Sequence, residues 1–117
     1  MSAPATSATS PPTTKAPAVR VFLTTPILDP NVAVIPRTLD SLQELVGGYC
    51  EAVPLPFPHL SLIVNEDGRQ LRLLPNPAAS RLAGQPIVGV ALVIRYDEEG
   101  DEVDLTDEDI AALRRPG

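Results

Sequence analysis

Thr38-Leu-Asp-Ser-Leu-Gln-Glu-Leu-Val-Gly-Gly-Tyr-Cys-Glu51 reads as a short helix that ends on two glycines and turns directly into a strand. Thr38 is a good N-cap and Asp40 lies in the first turn, where the positive end of the helix dipole favours an acid. Leu39, Leu42, Leu45 and Val46 form an apolar stripe at helical spacing. Two turns of helix do not hold together in water, so the stripe predicts a sheet beneath it. Gly47 or Gly48 supplies the left-handed residue that closes a helix, and Tyr49 to Val53 leaves as a strand, with Tyr49 expected in the core. A phosphate loop is a poor alternative, because its glycines precede a helix N-terminus and these follow a C-terminus.

On the N-terminal side, Val19 to Thr24 alternates, with Val19, Val21 and Leu23 on one face and Arg20, Phe22 and Thr24 on the other. After a turn at Asp29-Pro30-Asn31, Val32 to Ile35 is again extended, so the two runs predict an antiparallel hairpin with its prolines at an edge. Residues 1–17 hold only Ser, Thr, Ala, Pro, Lys15 and Met1, which is too little apolar surface to offset the entropy of ordering them. The expected organisation is a disordered tail over 1–17 and one domain over 18–117.

On the C-terminal side, Pro54-Leu-Pro-Phe-Pro58-His59 is a stiff loop, since alternate residues lack an N–H. Leu60 to Val64 and Arg69 to Leu74 predict a second hairpin around Asn65-Glu-Asp-Gly68, with Leu71 and Leu73 on the side of Leu60, Leu62 and Val64. Asn76 caps a short helix with Pro77 at its first position and Gly84 as its stop. Ile87 to Arg95 is almost continuously apolar and predicts a central strand covered on both faces. Val103 and Leu105 give a short partner strand, and Thr106 caps a last helix over 107–115. The fold class that follows is α+β: a mainly antiparallel sheet of five to seven strands, one main helix packed on it and two short helices at its rim.

Charge is unevenly placed. Asp97, Glu98, Glu99, Asp101, Glu102, Asp104, Asp107, Glu108 and Asp109 crowd one segment of a chain whose net charge is −6. Direct binding to duplex DNA or RNA is therefore not expected, because such affinity comes from Lys and Arg neutralising phosphates. With two Phe, two Tyr and no Trp, stacking on single strands is not expected either. One cysteine, Cys50, excludes an intramolecular disulfide and fits a cytoplasmic setting. No run of about 18 apolar residues predicts a membrane span.

Cys50 and His59 are the one nucleophile and base of cysteine-hydrolase type, but no third residue orients the His, and a lone strand Cys is most often a small buried hydrophobe. The acidic segment fails the calcium-loop pattern, because the sixth position from Asp97 is Glu102 where Gly is needed, so at most weak divalent binding is expected there. Three of its acids are explained as helix-start residues.

Leu42-Gln-Glu-Leu-Val-Gly-Gly-Tyr49-x-Glu51, Val64-Asn-Glu-Asp-Gly68, Pro75-Asn76 and Leu105-Thr-Asp-Glu-Asp109 together resemble a small family of uncharacterised domains from phages, plasmids and Gram-positive or actinobacterial genomes. The resemblance spans roughly residues 19 to 110. Cys50, the Pro54 to Pro58 loop and the tail depart from the pattern. It implies a fold and a mobile-element setting, and it transfers no catalytic residue, metal ligand or cofactor. The expected function is a non-enzymatic protein-binding or regulatory module for an unidentified protein partner. The alternative is an acidic inhibitor that imitates nucleic acid in the cleft of a DNA- or RNA-processing enzyme, and an unrecognised hydrolase is the third reading. The partner-binding residues expected are Phe57 and His59 in the Pro-rich loop with Asp97, Glu98, Glu99, Asp101, Glu102 and Asp104; an exposed edge strand also offers pairing with a second copy.

Overall fold

A computed structural model describes residues 17–115; residues 1–16, on which most of the expected tail falls, lie outside the described residues. The elements are β1 (Ala18–Thr24), β2 (Asn31–Pro36), α1 (Leu39–Val46), β3 (Cys50–Pro54), β4 (Leu60–Asn65), α2 (Pro77–Ala83), β5 (Ala91–Tyr96), β6 (Glu102–Val103) and α3 (Asp107–Arg114). The six strands form one antiparallel sheet in the order β2-β1-β5-β4-β3, with β6 paired to β5. This is the α+β architecture the pattern implied.

Alternation sorts the strand side chains onto two cores. Val19, Val21, Ile63, Leu92 and Ile94 pack with Leu42 and Val46 of α1. Phe22, Leu62, Val64 and Val93 pack with Leu82 of α2 and Ile110 and Leu113 of α3. The two short helices thus cover the face opposite α1 rather than the rim. Residues 91–94 of β5 are buried because both faces and both sides of that strand are occupied.

The opening stretch folds as its residues dictate. Thr38 accepts the Ser41 N–H at 3.1 Å, and Gly47 (φ 85°) lets its own N–H and that of Gly48 reach the Gln43 carbonyl at 2.8 and 3.0 Å. Leu42 and Val46 are buried, but Leu39 is 61% exposed. Tyr49, expected in the core, is 69% exposed, because the strand starts one residue later and Tyr49 precedes the pleat.

The expected hairpin over 60–74 does not form. β4 is flanked by β3 and β5, so no open side is left for residues 69–74. Asn65 turns the chain instead: its Oδ1 accepts the Asp67 N–H at 2.7 Å, and its Nδ2 donates to the Val46 carbonyl at 3.0 Å, tying the turn to the end of α1. Leu71 N–H then bonds Asp67 C=O at 2.9 Å and Leu73 N–H bonds Gly68 C=O at 3.0 Å, a wound turn that leaves Leu71 and Leu74 each 57% exposed. The long apolar run also divides. Val88 forms an isolated bridge with Pro75, Gly89 takes φ 80°, and β5 begins only at Ala91.

Candidate functional site

β5 ends at Tyr96, and the chain reverses at once through the acidic turn. Asp97 Oδ1 accepts the N–H groups of Glu99 and Asp101, both at 2.9 Å, and Gly100 completes the turn at φ 87°. The Tyr96 N–H donates to the His59 carbonyl at 2.9 Å, which anchors the Pro-rich loop beside the turn. His59 itself sits at φ 66°, a backbone region that L-residues adopt only when their surroundings enforce it. His59, Arg95, Tyr96, Asp97, Glu98 and Glu99 consequently line one open cleft of about 410 Å³. Two segments singled out separately in the sequence meet in space.

The other acids are divided between scaffold and surface. Arg95 Nη1 donates to both carboxylate oxygens of Asp109 at 2.9 and 3.0 Å, and Asp109 also accepts the Thr106 N–H, closing a capping box on α3. Asp104 Oδ1 accepts the Arg20 N–H at 2.7 Å, and the Arg20 guanidinium reaches Leu105 C=O and, at 3.2 Å, Asp107. Glu98, Glu99 and Glu108 are exposed. Glu102 is placed differently from the solvated stripe that its neighbours suggested: it pairs with Tyr96 in β6 and is half-buried, and its Oε1 is buried without a hydrogen-bond partner. Burial pushes its carboxyl above the ordinary carboxylate range, and Arg37 opposes that shift. Phe57 is half-buried against the α2–α3 core.

Asp97, Glu99 and Asp101 each bring a carboxylate oxygen to within 4.8 Å of the other two, so these three could hold a hard divalent cation, although Asp97 Oδ1 already serves two N–H groups. Cys50 and His59 do not form a dyad. Cys50 lies opposite Asn65 at one end of the β3–β4 hairpin, and His59 precedes β4 at the other, about 20 Å of strand away. Burial, reinforced by Glu102, raises the Cys50 thiol above its ordinary value and disfavours the thiolate.

A second cleft of about 340 Å³ opens between Glu51 and Val53 of β3, the 65–70 turn and Pro86 to Val88. Sequence reasoning missed it because it follows from the turn that replaces the expected hairpin. Gly68 was the available signal: a Cβ there would come within 2.8 Å of Val88 Cγ2, so the cleft wall closes only on glycine.

The family model of a domain of unknown function, DUF3846, matches residues 19–116. The chain belongs to that family. The DUF3846 fold is also similar to part of the crystal structure of the small RNA methyltransferase HEN1, with a TM-score of 0.64 and 17% identity over 86% of this chain. The chain spans 16% of that protein, and at this identity the likeness concerns fold alone. Comparison with curated proteins finds no match. No helix among the described residues is long and apolar enough to cross a membrane.

Proposed function

We propose that this DUF3846 domain is a non-enzymatic protein-binding module that presents its acidic end to a basic surface of a partner protein. The observation that carries this reading is the cleft in which the Pro-rich loop and the acidic turn meet, rimmed by His59 and by the exposed Glu98 and Glu99. Carboxylates gathered at one end of a domain set up a negative potential that steers a basic partner and selects against acidic ones. Phe57, two residues before His59 and half-buried against the core, leaves part of its ring exposed, an aromatic of the kind found at interface centres. Against a hydrolase stand the separation of Cys50 from His59 and the raised thiol pKa.

An accessory role in a mobile element, carried out in the cytoplasm, belongs to the same reading. If the basic surface is a nucleic-acid cleft, the domain acts there as an inhibitor by imitation, and DNA or RNA competes with it. The test is capture from a host lysate by the immobilised full chain. Lysine replacement of the exposed acids Glu98, Glu99 and Glu108 together is expected to abolish capture, and release by rising salt is expected for the native chain. Asp104 is left intact because it accepts the Arg20 N–H, Asp101 because its backbone closes the acidic turn, and Glu102 because it is turned inward. Capture unaffected by the triple replacement would sink the proposal.

A further inference from the structure

We propose that β2 is the interface through which two copies of this chain form an antiparallel, two-fold dimer. The phase of the β1–β2 ladder is set by the Arg37 N–H, which bonds the Pro17 carbonyl at 3.0 Å. With the register Val19↔Ile35 and Val21↔Ala33, residues 31, 33, 35 and 37 turn their backbone groups toward β1. Val32, Val34 and Pro36 therefore turn theirs outward, along an edge beside which no strand lies among the described residues.

That edge is self-complementary. In an antiparallel pair centred on Val34, each Val34 N–H donates to the Val34 carbonyl of the other copy, and each Val32 N–H donates to the second lone pair of the opposite Pro36 carbonyl, whose first accepts Ser41 Oγ at 2.8 Å. All four outward N–H groups are satisfied. Pro36 has no N–H to return to Val32, but the Val32 carbonyl already accepts Asn31 Nδ2 at 3.5 Å, so the missing donor leaves no orphan. Val34, 69% exposed in the single chain, lies directly against its own copy. Beyond the strand ends the charges are of opposite sign: Arg37 falls opposite Asn31 of the second copy, two residues from that copy's Asp29.

Of the devices that keep edges apart, β2 carries one, the outward Pro36 at its end, and lacks charge. Asn31–Pro36 carries no charged residue, whereas soluble proteins place Lys, Glu or a bulge on an exposed edge. The opposite edge, β3, has the same backbone phase, since Tyr49 C=O and Leu55 N–H both face β4. There, however, an exposed Glu51 from each copy would lie on the same face of the joint. A second copy is thus the occupant that β2 favours.

Sedimentation equilibrium on the full chain tests this, independently of partner capture. The expected result is a species of twice the 12.4 kDa chain mass at concentrations on the order of 100 µM, since an edge-only joint lies at the small end of interface sizes. Val34→Lys, which sets two ammonium groups against each other, is expected to weaken the dimer at least about tenfold. Val34→Pro removes the outward N–H without touching β1 and should do the same. Ala52→Lys on β3 should leave the dimer unchanged. A monomer throughout this concentration range, a dimer insensitive to both Val34 variants, or one dissolved by Ala52→Lys overturns the proposal.

Discussion

The two ends of the sheet use polar residues in opposite ways. Where β4 ends and β5 begins, the buried polar groups are neutral. Asn76 is fully buried, with Nδ2 donating to Gly89 C=O and Thr24 Oγ1 at 2.9 and 3.0 Å and Oδ1 accepting the Ala79 N–H at 3.1 Å. Thr24 in turn donates to Ala91 C=O at 2.9 Å, and buried Asn65 ties β4 to α1. At the other end, where β5 leaves and β4 starts, the polar groups are charged, and Glu98 and Glu99 are solvated. A buried amide with every bond made is costly to remove and holds one geometry, whereas a solvated carboxylate adds little stability and is free to meet a partner. The buried amides and the exposed acids are thereby separated along about 20 Å of strand.

The sharpest way to break this contrast is at Asn76. Asn76→Ala strands the Gly89 carbonyl and removes the cap of α2, with an expected loss of about 2–4 kcal/mol in denaturant unfolding. Asn65→Ala releases α1 from the 65–70 turn and should cost about 1–3 kcal/mol, read as a fall in thermal midpoint. A neutral result at both positions would erase the structural end.

Glu102 tests the boundary between the two regimes, because it is an acid turned inward. Its carboxyl titrates above the ordinary value of 4.5 in the folded chain, so below that value both states hold the proton and no penalty arises. As pH rises from there, the unfolded chain releases its proton first, and stability falls. Glu102→Gln should therefore match the native chain near pH 4 and be the more stable of the two at pH 7; equal stability throughout would place Glu102 with the solvated acids. The smallest stability effect is expected from lysine at Glu98, Glu99 and Glu108 together, within about 0.5 kcal/mol, despite the predicted loss of capture.

Much of the local structure was legible in the chain. Thr38, Asn76 and Thr106 announce three helix starts, and Gly47 and Gly84 announce two stops, because a cap is a matter of one hydroxyl or amide and its immediate backbone. The errors came where occupancy decided. Arg69 to Leu74 alternates like a strand, but β5 had already taken the place beside β4. Tyr49 reads as a core residue and falls one position short of the pleat. The acids 97–109 look uniform in sequence, while their roles range from a capping box at Asp109 to an inward carboxyl at Glu102 and an exposed pair at Glu98 and Glu99.

By itself the sequence determined the helix caps, the α+β class and the chemistry of the acidic segment, since each rests on patterns among residues close together in the chain. Tertiary structure alone decided which strands are neighbours, which helix covers which face, that His59 meets Asp97 to Glu99, and that the uncharged β2 has a strand on one side only among the described residues. Those outcomes depend on contacts between segments tens of residues apart, where competition for the same sheet position overrides local pattern.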